Sequence, residues 1–293
     1  MPPSGPLVLS IDTSDRAAVQ ALYNTILLPT FSVPIQFSGS ISGCQAGTTS
    51  VAWKDAVVRA VNSFRVMAGL PGTVKVNLTH SAMNQQAALM MDANSSLSHS
   101  PPASWTCFST DGATAAGSSN LALGNNGASA VHAYMSDSGT ASLGHRRWLL
   151  LPQLGEVGTG DTPRANAMWV FGGTVGVPAS ATLNGVAWPP RGFVPWTNKV
   201  AVPTDPWSFT LAGADFSAAS VSVSNDKGQL LTLANVGQLA NGYGDNTFSW
   251  RIPSDASLWS RAPADTKFTV QLSNVKVAGQ AKSFQYSVTF FAP

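Results

Sequence analysis

The chain has 293 residues, a hydrophobic share of 44% and a formal net charge of +2. That length suffices for one large domain or two ordinary ones, and so small a charge, with "HRRW" the densest basic spot, points away from a nucleic-acid partner. Charged residues make up only 10% of the chain, against about a quarter in an average soluble domain. Ser, Thr, Asn and Gly therefore solvate the surface, a composition that fits an exported protein.

The first residues, "MPPSGPLVLS", have neither the basic nor the apolar segment of a signal peptide. An exported form would then be a mature chain with an added Met. No apolar run approaches the length of a membrane span, and the most apolar piece, "WLLLP", is far too short. Four helical stretches come next. "SDRAAVQALYNTILLP" starts at the cap candidate Ser14 and stops at Pro29. "SVAWKDAVVRAVNSFRVMAGLPG" spaces Trp53, Val57, Val61, Phe64 and Met67 at steps of three and four, with Ser50 as N-cap and Gly69 and Pro71 at its end. "THSAMNQQAALMMDAN" puts Met83, Ala87, Met90 and Met91 on one face, and "GASAVHAYMSDSG" is shorter. The stretch "STDGATAAGSSNLALGNNG" between them is expected to be a loop.

From about residue 154 the period changes to two. "GEVGTG" and "NAMWVFGG" read as a strand pair, and after "VGVPAS" come "WSFTL", "SVSVSN", "NTFSWRI", "KFTVQLSNVKV" and "KSFQYSVTFF". The last puts Phe284, Tyr286, Val288 and Phe290 on one face and Ser283, Gln285, Ser287 and Thr289 on the other. Short alternating strands predict a β-sandwich. The Pro/Trp-rich "GVAWPPRGFVPW" most simply packs a domain junction; an aromatic ligand platform is the sharper alternative. The expected organisation is an extension over 1–50, a first domain over 51–175 and an independent β-sandwich over 176–293.

Cys44 and Cys107 are the only cysteines. They are either two buried thiols or a disulfide, and the exported-looking surface favours the bond. Nucleophile motifs are missing: the closest match to a G-x-S-x-G elbow, "GSISG", has isoleucine at its centre. There is no H-E-x-x-H or C-x-x-C, and Glu156 is the sole glutamate. Composition alone makes His99 and His145 loop histidines bonded to backbone. It makes "HRRW" an exposed turn, with Trp148 and the leucines behind it plugging the core.

Five blocks in order then carry a resemblance: "VNSFRVMAGLP", "MNQQAALMMDANSSLSHSPP", "SSNLALG", "AVHAYMSDSG" and "GHRRWLLLPQLGEVGTG". Over roughly residues 50–175 they resemble a CAP (SCP-type) domain of the cysteine-rich secretory and pathogenesis-related proteins, with "GHRRW" in a bacterial-type form. The resemblance implies an α+β fold, a CAP-type α-β-α sandwich with a central cleft, followed here by an all-β Ig-like sandwich. In many relatives the cleft holds two histidines and two acids, which in some bind zinc. The histidines fall on His99 and His145, the second acid on Asp137, and the first on Ser119, which carries no charge. Asn120 beside it is expected to order a loop. With a hydroxyl at 119, zinc through His99 and His145 would have a weak, half-open site, to which Asp137 contributes either directly or as an anchor for one imidazole. The expected function is that of a secreted or cell-surface protein binding a lipid, glycan or cell-surface component through the cleft. The alternative is a metal-assisted hydrolase or peptidase using His99 and His145.

Overall fold

A computed structural model describes residues 10–173, 183–253 and 265–293. The extension begins with α1 (Arg16–Leu22), which runs through a π-helical turn at Tyr23–Leu27 into α2 (Leu28–Thr30). Its N-cap is Asp15, not Ser14: the Asp15 carboxylate accepts from the amides of Ala17 and Ala18, and an anion suits the positive helix end better than a hydroxyl. The helix also reaches one residue past Pro29, which lies in the last turn directly after the π-helical segment.

The long helix α3 (Val51–Met67) forms as its spacing dictates. Ser50 Oγ accepts from the Trp53 amide at 3.1 Å, and Trp53, Val57, Val61, Phe64 and Met67 are all buried. Gly69, at φ +77°, takes the left-handed conformation that closes the helix. The "NSFR" block staples this end down. The Asn62 side chain bonds both the amide and the carbonyl of Val74, and the buried Arg65 guanidinium donates to the carbonyls of Pro71, Leu149, Leu151 and Pro152.

After β1 (Lys75–Val76) comes α4 (Leu78–Asn94), capped by Asn77. The stretch read as a loop instead contains α5 (Thr110–Gly117) and β2 (Ser119–Leu123). Its alanines leave little periodic signal, but Ala115 and Ala116 bury completely in the layer formed with α4, and alanine favours helix once such a face is offered. Next follow α6 (Gly127–Ser136) and α7 (Gly144–Leu149). The strands β3 (Glu156–Asp161) and β4 (Ala165–Trp169) are the antiparallel pair that the sequence predicts.

These strands make a sheet of order β1-β3-β4-β2, parallel only between β1 and β3. On one face Ala87 and Met91 of α4 and the α5 alanines cluster with Leu121 and Ala167. On the other, Val57 of α3 and Val131 of α6 share a core with Ala122 and Met168. Neighbours along one strand go to opposite layers because strand side chains alternate. The first domain is therefore an α-β-α sandwich.

The C-terminal region is built of strands. One sheet has the order β10 (Ala234–Gln238), β11 (Thr247–Arg251), β7 (Trp207–Thr210), β5 (Val186–Trp188). The other has β6 (Gly192–Pro195), β13 (Gln280–Phe291), β12 (Thr266–Val277) and β8 (Ala214–Asp215), with β9 (Ser220–Asn225) also on β12. Aromatic contacts join the sheets face to face: Trp207 meets Phe268 edge-on at 5.8 Å and Phe209 meets Phe284 at 4.9 Å. Tyr286, Val288 and Phe290 point inward as their alternation predicts. The "VGVPAS" segment and the domain boundary near 175 lie outside the described residues.

"GVAWPPRGFVPW" packs the junction: Trp188 is fully buried and meets Phe64 of α3 edge-on at 5.7 Å. The extension joins here too, since the Phe193 amide donates to the Thr13 carbonyl at 2.8 Å. A Cβ on Gly192 would lie 2.1 Å from that same carbonyl, so only glycine fits. One apolar core runs continuously from α3 into the sandwich. The "HRRW" arginines are not an exposed turn; Arg146 and Arg147 are buried, and their terminal guanidinium nitrogens donate to carbonyls of both regions. No helix among the described residues is long and apolar enough to cross a membrane.

Candidate functional site

His99 stands in the loop that follows α4, and this loop is tied down at three points. The Asn94 side chain donates to the Thr106 carbonyl and accepts from the Thr106 amide. Cys107 is bonded to Cys44 of the extension, as the surface composition predicts. His99 Nδ1 lies 2.9 Å from the Ala116 carbonyl at the end of α5. A carbonyl only accepts, so Nδ1 carries the hydrogen, and in the neutral ring Nε2 keeps the lone pair.

His145 is held in the same sense by a stronger partner. Asp137 closes α6 in the left-handed conformation (φ +47°) and is buried. Its Oδ1 accepts from His145 Nδ1 at 2.8 Å and from Thr140 Oγ1 at 2.6 Å, while Oδ2 accepts from the Arg146 amide at 3.3 Å. Burial works against the charge on Asp137, but the bonds from His145 and Thr140 and the nearby charges of His145 and Arg146 outweigh it, and the carboxyl titrates below its ordinary 3.8. The His145 ring also leans on Tyr134 at 5.2 Å, and the Tyr134 hydroxyl is anchored on Asn166 Oδ1 at 2.7 Å.

A lowered folded-state pKa means that Asp137 stabilises the fold above its unfolded value of about 3.8, and that this contribution disappears as pH falls through the folded value. Asp137→Asn should cost about 1–3 kcal/mol at pH 7, where charge-assisted bonds are lost. Denaturant titrations at pH 7 and pH 3 check this: the wild type should lose more stability across that interval than the variant. Equal losses would remove Asp137 from the acid response.

The chain brings His99, Ser119, Asn120 and His145 to one cavity of about 310 Å³. Asp137 does not line it; it stands behind His145. Ser119 is the first residue of β2, and its hydroxyl accepts from Asn84 Nδ2 at 2.6 Å. Asn120 orders the cleft, as expected, by donating to the His145 carbonyl at 3.1 Å. Sequence reasoning missed the aromatic wall formed by Trp148, Phe171 and Tyr243. Trp148 was assigned wholly to the core, and nothing in "NGYGDN" signals that Tyr243 reaches a site in the first domain. Glu156 serves structure, accepting from Asn77 Nδ2 at 2.9 Å where α4 meets β3.

This donor set is poor for zinc. Both rings line the cavity and, with Nδ1 engaged, each neutral ring keeps its lone pair on Nε2, but the Asp137 oxygens are turned to His145, Thr140 and Arg146, and Ser119 offers a neutral hydroxyl. Among the described residues no group of three His, Cys, Asp or Glu could hold a metal ion, and resident zinc wants about four ligands. The residues present do not fit a resident zinc.

The architecture defines a class: an α-β-α domain in which one loop and the short helix α7 carry a backbone-oriented and a carboxylate-oriented histidine into one cleft. Residues 58–171 match the family model described as CAP, cysteine-rich secretory protein family. The chain carries a CAP superfamily domain, followed by a β-sandwich. No curated protein matches the chain.

Proposed function

We propose that this is a secreted CAP-domain protein that binds a lipid, glycan or cell-surface component in the cleft lined by His99 and His145. The observation that carries the reading is the fixed orientation of both imidazoles, each held through Nδ1, in a cavity that also has an aromatic wall. Such a site has few, well-placed polar groups among apolar ones, the usual make-up of a small-molecule pocket. The disulfide and the sparsely charged surface support export.

Catalysis by His99 and His145 is the second reading. The Asp137–His145 pair favours it, since a carboxylate on Nδ1 is how a general base is held. It lacks a nucleophile or ion with an evident place: Ser119 Oγ accepts from Asn84, and the ring bonds of His99 and His145 go to Ala116 and Asp137 instead. Calorimetric titration of palmitate and of neutral trisaccharides into the full chain separates the readings when paired with p-nitrophenyl acetate hydrolysis. Binding of a probe that weakens about tenfold in His99→Ala and His145→Gln, with no hydrolysis dependent on His145, is the expected result. Turnover that disappears in His145→Gln would instead establish the hydrolase.

A further inference from the structure

We infer that the β-sandwich completes the cleft, with Tyr243 as a stacking wall, and that the occupant is a neutral sugar ring. This rests on the reading that the cleft binds a ligand. Tyr243 lies in the turn between β10 and β11, flanked by Gly242 (φ +100°) and Gly244 (φ +70°). The turn is fastened to α7 by Arg147, which donates to Ala240 O at 2.8 Å, Asp245 O at 3.0 Å and Ser142 O at 3.3 Å. Its guanidinium also lies 5.6 Å from the Tyr243 ring centre. The ring rests directly on Gly144, the residue before His145: a Cβ there would come within 2.7 Å of Tyr243 Cδ1. Glycine at 144 is therefore what lets a side chain of the second region reach the histidine cleft.

The ring is fixed yet 40% exposed. Three large aromatics are exposed among the described residues, Phe108, Phe171 and Tyr243, and two of them line this cavity. Phe171 is braced edge-on by Trp148 at 4.5 Å. Pre-set aromatic faces suit a flat, weakly polar surface, because the negative π face attracts C–H groups of positive polarity. The remaining lining is glycine, hydroxyl, amide and imidazole, with no Asp, Glu, Lys or Arg. A charged ligand finds no counter-charge there. An alkyl chain would bury two imidazole lone pairs without a donor, which is costly. A pyranose supplies both needs: C–H faces for the rings and hydroxyl donors for the two Nε2 atoms.

The test is saturation-transfer NMR on the full chain with cellotriose, chitotriose, mannotriose and palmitate, for wild type, Tyr243→Ala, Tyr243→Phe and His99→Ala. Thermal melts check that each variant is folded. At least one trisaccharide should bind, Tyr243→Ala should weaken it about tenfold, and Tyr243→Phe should restore binding because the ring face remains. If His99→Ala weakens sugar binding and Tyr243→Ala does not, the Tyr243 wall is wrong and the cleft reading stands. If only palmitate binds, with loss in His99→Ala, the sugar assignment is overturned and the cleft again survives. Binding that ignores every variant removes the cleft reading itself, and a chain that binds no trisaccharide overturns the sugar inference.

Discussion

Arg146→Ala should destabilise the chain by about 3–5 kcal/mol, the usual cost of breaking a buried charged network. The guanidinium is 1% exposed and donates to the carbonyls of Met135, Ser136 and Pro206 and to the Ser208 hydroxyl, at 2.6, 2.6, 2.7 and 3.2 Å. Burial pushes its pKa down to about 10, partly offset by Asp137 and Asp205, so it stays charged at neutral pH. Alanine would leave carbonyls of two regions without donors at the place where α6 meets β7. At about 2–4 °C per kcal/mol for a chain of this size, the melting temperature should fall by roughly 10 °C. Arg146→Lys should recover only part of this, because an ammonium cannot span the same fork of carbonyls. Calorimetric melts of the three proteins measure it. A shift of a degree or two for alanine would show that the two regions are not joined through this side chain.

Removing the disulfide with Cys44→Ser and Cys107→Ser together should cost about 4 kcal/mol in the chain-entropy account, since the bond closes a separation of 63 residues. It should also loosen the loop that carries His99, which Cys107 and the Asn94–Thr106 pair hold from one side. Denaturant titration gives the first quantity, and hydrogen exchange across residues 95–109 gives the second. Faster exchange confined to that loop and to the segment around Cys44 is expected. An unchanged midpoint and unchanged exchange would make the bond dispensable to both fold and cleft.

Much of the fold was legible because it obeys simple periods. The three-and-four spacing of α3 and the strict alternation of β13 each describe one buried face, and burial is what the pattern encodes. Ser119–Leu123 was not legible as a strand: it is short, and β4 supplies its partners from more than forty positions away, Ser119 pairing with Trp169 and Leu123 with Ala165. The site divides in the same way. The blocks of residues singled out His99, Ser119, Asn120 and His145, and the fold brings these four to one cavity. Arg146 and Arg147 were misjudged because a charged pair on a surface and one satisfied by carbonyls look alike in one dimension. Tyr243 was invisible for a related reason, since its role depends on Gly144 and Arg147, nearly a hundred residues earlier, and only folding brings them together.

Long-range ¹H–¹⁵N spectra of the histidine side chains test the central claim most directly. At a pH where both rings are neutral, His99 and His145 should each carry the proton on Nδ1, because the Ala116 carbonyl and the Asp137 carboxylate hold it there. Adding a probe that binds should then shift the Nε2 resonances of both rings together and leave His80 and His132 in place. A proton on Nε2 of either ring, or a bound probe that moves neither Nε2, would contradict a cleft built to present two imidazole lone pairs to one ligand.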